Sequence, residues 1–249
     1  MANTSTNNLS LSQRLHEQLR QLIGETLPGE RLPSEPSLAK QLKVSRATLR
    51  EAMRTFETQG MIHRRQGVGT FVTHPRQVIE TGLEKLESIH TLAERIDLKV
   101  EMGKYHIDHR PAVDEEAAIL GLEPGKQVVQ VNWVMEAASR PAAYLVDILP
   151  DDILSPKAIY KNFSGSILDM LLDRKDMSLD NSRTEVNAVA AQSDVARALG
   201  IQRGDVVLYF KAILYNSAGR VVDLSHSYFL PGYFRFHINR RVGEQITIR

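Results

Sequence analysis

The side chains with the clearest chemistry lie close together near the N-terminus: Ser45, Arg46, Thr48 and Arg50. Arg46 and Arg50 stand four apart, so on a helix both project from one side near its start. An arginine there can grip guanine O6 and N7 with two hydrogen bonds, or clamp a phosphate. The hydroxyls of Ser45 and Thr48 suit phosphate or base contacts. A second basic group follows at His63, Arg64, Arg65 and Gln66, beside Gly67 and Gly69. Two glycines make a small tip whose backbone can approach a groove closely. Ser34, Ser45, Arg46, Thr48, Arg50, Arg64, Arg65, Gln66, Gly67 and Gly69 form the candidate DNA-contacting set.

The C-terminal half holds a more scattered polar set. Asn132, Asp147, Lys211 and His226 alternate with apolar neighbours, so they read as one side of a sheet, facing either solvent or a pocket. Glu185, in RTEVNAV, and Tyr228 join them. Trp133 lies in an apolar run and is either core or, like Tyr144, part of an aromatic surface. Ser164, Gly165 and Ser166 precede the helical run SILDMLLD and can offer hydroxyls and backbone amides to an anion. Asn132, Trp133, Asp147, Ser164, Ser166, Glu185, Lys211, His226 and Tyr228 are the candidate effector-binding residues. His106 and His109, three apart in a β-like stretch, fall on opposite faces and make a poor metal pair. GLEPGKQ lacks the spacing of a phosphate loop, and no nucleophile elbow is present. No catalytic residue, metal or cofactor is expected.

Apolar positions define the elements that must position these groups. Leu11, Leu15, Leu19, Leu22 and Ile23 recur at helical spacing from Ser10 to Ile23, and Pro28-Gly29 ends the segment. A second helix fits Glu35 to Leu42, with Ser34 as cap and Pro36 in the first turn. Lys43-Val44 makes a tight turn. Ser45 caps a third helix running to Gln59, and Gly60 stops it. On that helix Leu49, Ala52, Met53 and Phe56 fall at i, i+3, i+4 and i+7, opposite the arginines. MIHRR and TFVTH then read as a β-hairpin. From Val78 to Ile96 apolar residues step by three or four and predict a helix linking two modules.

Beyond it lies an internal repeat. LGLEPGKQVVQVNWVMEAASRPAAYLVDILP, Leu120 to Pro150, is echoed by LGIQRGDVVLYFKAILYNSAGRVVDLSHSYFLP, Leu199 to Pro231. Each copy has a helix end, a glycine-marked turn, two β-rich runs and Leu-Pro, and follows an Ala-rich helical stretch. Two such halves sharing one sheet would form a pseudo-symmetric crevice.

Composition bounds the function. The 249 residues carry 31 Lys+Arg and 30 Asp+Glu, but residues 1–75 hold 10 against 6, so the front is basic and the back mildly acidic. That asymmetry points the first module at a polyanion. No apolar run of about 18 residues exists to span a membrane. The polar opening MANTSTNNLS is unlike a secretion signal, and residues 1–9 read as a disordered tail. There are no cysteines. A cytoplasmic location is expected.

The string GERLPSEPSLAKQLKVSRATLREAMRTFETQGMIHRRQGVGTFV resembles the N-terminal domain of the GntR family of bacterial transcription regulators. The likeness implies that Arg46, Thr48, Arg50, Gln66 and Gly67 match DNA-contacting positions. Two departures stand out: Pro36 replaces the Arg often found after LPSE, and Lys43 replaces the usual turn glycine. The remainder resembles the UTRA effector domain of the HutC branch, through the LGxxxG…P repeat and the ending DLSHSYFLPGYFRFHINRR. Relatives that bind anions often carry arginines on the first β-run of the repeat; here that run is VVQVNWVME.

The resemblance implies an α+β chain: a winged helix-turn-helix over 10–74 and a chorismate-lyase-like effector domain with a mostly antiparallel sheet over 97–249, with the linker helix read from the apolar spacing set between them over 75–96. The implied function is a homodimeric, sequence-specific regulator, a repressor, whose hold on double-stranded operator DNA is set by a small-molecule effector. The alternatives are a constitutive DNA-binding dimer with a degenerate pocket and, more remotely, an enzyme fused to a DNA-binding domain.

Overall fold

A computed structural model describes residues 11–240 apart from 28, 59, 66, 74–77 and 138. The expected tail at 1–9, the Pro28 helix stop and the Gln66 contact lie outside the described residues. The chain divides into two compact units, residues 1–78 with 230–233, and residues 79–229 with 234–249.

In the first unit, helix α1 spans Leu11–Glu25, α2 Glu35–Gln41 and α3 Arg46–Thr58. Strands β1, Ile62–Arg65, and β2, Gly69–Val72, pair antiparallel as the wing. The segment before α2 adds to the wing, with Leu32 N–H donating to Thr70 O and Val72 N–H to Glu30 O. The apolar spacing closes one core, in which Leu19, Leu38, Leu49, Met53 and Phe56 are all but fully buried. Lys43 takes φ 54° in the turn between α2 and α3. A β-carbon in that left-handed region costs about 1 kcal/mol, a strain glycine would avoid.

The second unit is built on a six-stranded antiparallel sheet in the order β4-β5-β6-β9-β8-β7. Its strands are β4 Val100–Pro111, β5 Gln127–Ala137, β6 Arg140–Pro150, β7 Leu179–Ala190, β8 Val206–Asn216 and β9 Val221–Phe229. The sequence repeat becomes two structural halves. β4, helix α5 (Asp114–Leu120), β5 and β6 form one; β7, helix α8 (Ser193–Leu199), β8 and β9 form the other. They join where β6 pairs with β9. Each short helix ends on a left-handed glycine, Gly121 at φ 64° and Gly200 at φ 66°, which turns the chain back into its strand. Leu120 packs with Val128, Ile148 and Leu224, so α5 covers this face of the sheet.

Over the other face lie helices α4 (Ile89–Glu94) and α7 (Ile167–Leu172); α6 (Pro156–Asn162) packs against β4. A small parallel pair joins β3 (Ile79–Gly82) to β10 (Phe234–His237).

The linker helix expected from Val78 to Ile96 is corrected by this arrangement. Its first part is the strand β3, and only Ile89–Glu94 is helical. Backbone pairing with β10 satisfies residues 79–82, and Ser88 opens a new helix by accepting the Thr91 N–H at 3.1 Å. Of the stepping residues, Ile79 and Leu92 are buried, whereas Leu86 is exposed. Burial at intervals of three or four is compatible with a strand, a loop and a short helix in succession.

Candidate nucleic-acid interface and ligand cavity

In the first unit, Ser45 begins α3 with its Oγ accepting the Thr48 N–H at 3.0 Å, while the two hydroxyls lie 2.8 Å apart. Ser45, Arg46, Thr48 and Arg50 are all exposed, and so are Ser34, Arg64, Arg65 and Gly67. Among the described residues no carboxylate pairs with Arg46. Arg50 and Arg64 are drawn to one carboxylate: Glu35 Oε2 is 3.0 Å from Arg50 Nε, and its Oε1 is 3.3 Å from Arg64 Nη2. This acid at the start of α2 ties the exposed face of α3 to the wing. The Arg65 guanidinium lies 5.2 Å from the Phe71 ring centroid. At Gly69, φ 145°, a β-carbon would strike the Arg31 side chain. A surface with four arginines on a helix start and an adjoining hairpin can grip a phosphate backbone and read base edges.

The second unit encloses a cavity of about 390 Å³. Its floor is the sheet face carrying Trp133, Asp147, Asp223, Ser225 and Ser227, with strands from both halves contributing. Thr81 to Leu92, the turn before α7 and Phe236 complete the wall. Trp133 is buried, with its ring 6.0 Å from Phe163 and 6.2 Å from His90. His90 Nε2 is buried without a hydrogen-bond partner among the described residues.

The expectation that Asn132, Asp147, Lys211 and His226 share one side of the sheet is corrected. Cross-strand register puts Asn132, Val146, His226, Lys211 and Glu185 in one row. Asp147, next to Val146, therefore faces the other way, in a row with Val131, Ser225, Ala212 and Thr184. Of the candidate effector set, Trp133, Asp147 and Ser166 line the cavity; Ser164 is exposed and does not.

Asn132, Glu185, Lys211, His226 and Tyr228 lie on the helix-covered face, where they are partnered. Lys211 Nζ is 3.0 Å from Glu115, Gln130 donates to Asn132, Arg183 pairs with Glu185, and Tyr209 Oη is 2.7 Å from His226 Nδ1. Burial, then the neighbouring Lys211, holds the His226 imidazole below its usual range. Burial beside Tyr209 pushes Tyr228 up to about 12.

Asp223, Ser225, Ser227 and His90 were missed from the sequence. The polar alternation Asp223-x-Ser225-x-Ser227 was a visible signal; which of the two alternating sets faced the cavity depended on register with β6.

Burial raises the Asp147 carboxyl from 3.8 to about 7, with the neighbouring Trp133 indole opposing the rise. Asp223 is raised well above its ordinary value by burial and by Asp147 beside it. Between pH 3.8 and about 7 the unfolded chain releases the Asp147 proton while the folded chain keeps it, so this group weakens folding as pH rises through that window. Asp147→Asn is therefore expected to raise the melting temperature more at pH 8 than at pH 4. An equal change at both values would refute the assignment.

A winged helix-turn-helix with an arginine-bearing surface, joined to a separate unit enclosing a ligand-sized cavity, defines a DNA-binding regulator under effector control. The comparisons agree. Residues 98–235 match the UTRA domain and residues 11–72 match the bacterial regulatory proteins of the gntR family, and the chain belongs to these families. It is 29% identical over 230 residues to the HTH-type transcriptional repressor NagR of Bacillus subtilis (strain 168), covering 90% of this chain and 91% of that one. It is 27% identical over 228 residues to the mannosyl-D-glycerate transport/metabolism system repressor MngR of Escherichia coli (strain K12), covering 91% and 92%. The fold is shared with PhnF from Mycobacterium smegmatis, at a TM-score of 0.60 and 18% identity, over 92% of this chain and 100% of that one. Relatives of this kind are transcriptional regulators rather than enzymes. No helix among the described residues is long and apolar enough to cross a membrane.

Proposed function

We propose that the chain is a cytoplasmic repressor that binds a pseudo-palindromic operator as a homodimer and is controlled by a small metabolite held in the cavity. The observation that carries this reading is Glu35 bridging Arg50 on α3 and Arg64 on the wing, which makes one DNA-facing surface of two elements. Ser34, Ser45, Arg46, Thr48, Arg64, Arg65, Gln66, Gly67 and Gly69 complete the contact set. A homodimer is favoured because paired half-sites need paired recognition helices. The edge strands β4 and β7, 12 residues each, supply the kind of unpaired backbone rows that neighbouring copies can cover.

The effector acts by binding better to a dimer geometry whose recognition helices no longer match the half-site spacing. The segment from Thr81 to Leu92 is the coupling element, since it lines the cavity and follows the first unit directly in the chain.

The test is fluorescence anisotropy with DNA from upstream of the protein's own gene. Specific binding with Kd on the order of 10⁻⁸ M or tighter is expected. Between 50 and 200 mM salt the affinity should fall by about 10³ or more. Equal affinity for a scrambled sequence would overturn sequence-specific control. Intact binding that no metabolite alters would favour a constitutive binder with a degenerate pocket.

A further inference from the structure

We propose that the cavity selects a cationic effector, a small molecule whose ammonium or other protonated nitrogen sits between Asp147 and Asp223. The proposal rests on the effector-controlled reading above and adds the ligand's charge class to it.

Asp223 is 6% exposed, lines the cavity and has one carboxylate oxygen, Oδ1, with no hydrogen-bond partner among the described residues. Asp147 stands opposite Ser225 on the adjoining strand, so Asp147 and Asp223 are diagonal neighbours on one face. Such positions hold their β-carbons about 7 Å apart, a gap that one nitrogen can bridge with hydrogen bonds to both acids. A buried acid beside a half-buried one, with no cation between them, is costly, and a ligand that brings a cation supplies the missing partner.

The rest of the lining supplies no such cation. Among the described residues it contains no arginine. The one lysine among the described lining residues, Lys85, is 77% exposed and is held by Glu87 at 3.0 Å. Glu87 also pairs with Arg95, and the two cations keep its carboxyl down at about 2. His90 approaches from α4 beside Trp133. The remaining charged lining groups are Glu84, which accepts the Asn239 N–H, and Asp180 on β7, which accepts from Asn181. The turn before α7 adds no charge, and Ser166 Oγ is committed to the Asp169 N–H at 3.0 Å. β5 and β8 contribute Trp133, Phe210, Ala212 and Leu214. On the sheet floor an anion would meet two acids and no cation, among hydroxyls and apolar groups; an ammonium there meets two carboxyls, the hydroxyls of Ser225 and Ser227, and the Trp133 ring.

Because burial holds the Asp147 carboxyl up at about 7, and raises Asp223 as well, cation binding near neutrality releases a proton and strengthens as pH rises.

The test is a thermal-shift series on the full chain with three matched skeletons in amine, alcohol and acid forms. The sets are putrescine, 1,4-butanediol and succinate; tyramine, tyrosol and 4-hydroxyphenylacetate; glucosamine, glucose and glucose 6-phosphate. At least one amine should raise the melting temperature by about 5 °C or more at a hundred times its Kd, with its alcohol and acid counterparts inert. For putrescine, which stays charged throughout, affinity should rise about tenfold from pH 6 to pH 8. Asp223→Asn and Asp147→Asn, nearly isosteric with the parent, should each abolish the shift.

A shift from an acid or alcohol form, a shift that survives both variants, or no shift from any amine overturns the charge class. Each binder is then added to the operator complex. A binder that leaves operator affinity unchanged counts against effector control and leaves the charge class standing; an anion that releases operator does the reverse.

Discussion

Exchanging Arg46 and Arg50 together for Ala lowers specific operator affinity by a factor on the order of 10² to 10⁴ while leaving the fold intact. Each arginine at a base edge contributes about 1–3 kcal/mol of discrimination, and the two stand on successive turns of one exposed surface. Neither is part of the core, so the circular dichroism spectrum and melting temperature should stay close to the parent's. The distinguishing readout is the ratio of specific to scrambled DNA. Loss of base contacts collapses that ratio, whereas loss of phosphate contacts lowers both affinities alike. Arg64→Ala with Arg65→Ala on the wing provides the second pattern for comparison. A double variant at Arg46 and Arg50 that kept its preference for operator would remove α3 from the reading role.

Phe56→Ala is expected to destabilise the N-terminal unit by about 3–5 kcal/mol. Its ring is 1% exposed, lies 5.8 Å from the His16 ring, and joins α1 and α3 in a core of a dozen buried residues. A unit of this size has little stability to spare, so a loss of that order leaves much of it unfolded at growth temperature. The sole tryptophan, Trp133, lies in the other unit and reports on it alone. In urea the circular dichroism should therefore acquire an early transition, while the tryptophan fluorescence midpoint moves little. Coincident, equally shifted curves would show that the two units unfold as one and would refute independent cores.

The N-terminal unit was legible because its helices show one face to a core and one to water. Leu49, Ala52, Met53 and Phe56 mark the inner face of α3, and the arginines are left for the outer. The duplication beyond residue 96 was legible as a repeat, and its halves share one sheet. The cavity was not, because in a strand every second residue faces the same way but nothing local says which way. Asn132 and Asp147 looked equivalent until register paired Asn132 with Val146 and so sent Asp147 to the opposite face. The segment from Val78 to Ile96 failed for a related reason. Its partner strand, β10, lies some 150 residues later in the chain, and only that pairing makes Ile79–Gly82 a strand.

Glu35 has a consequence for how the protein meets DNA. With Arg50 and Arg64 it forms a trio whose net charge is one positive rather than two. It behaves as a counterion fastened to the chain, one that cannot diffuse away when phosphate arrives. The trio should therefore displace about one condensed cation from the double helix where two unpaired arginines would displace two. The protein trades a little long-range attraction for arginines already aimed, which lessens its hold on arbitrary sequence more than its hold on a site that fits.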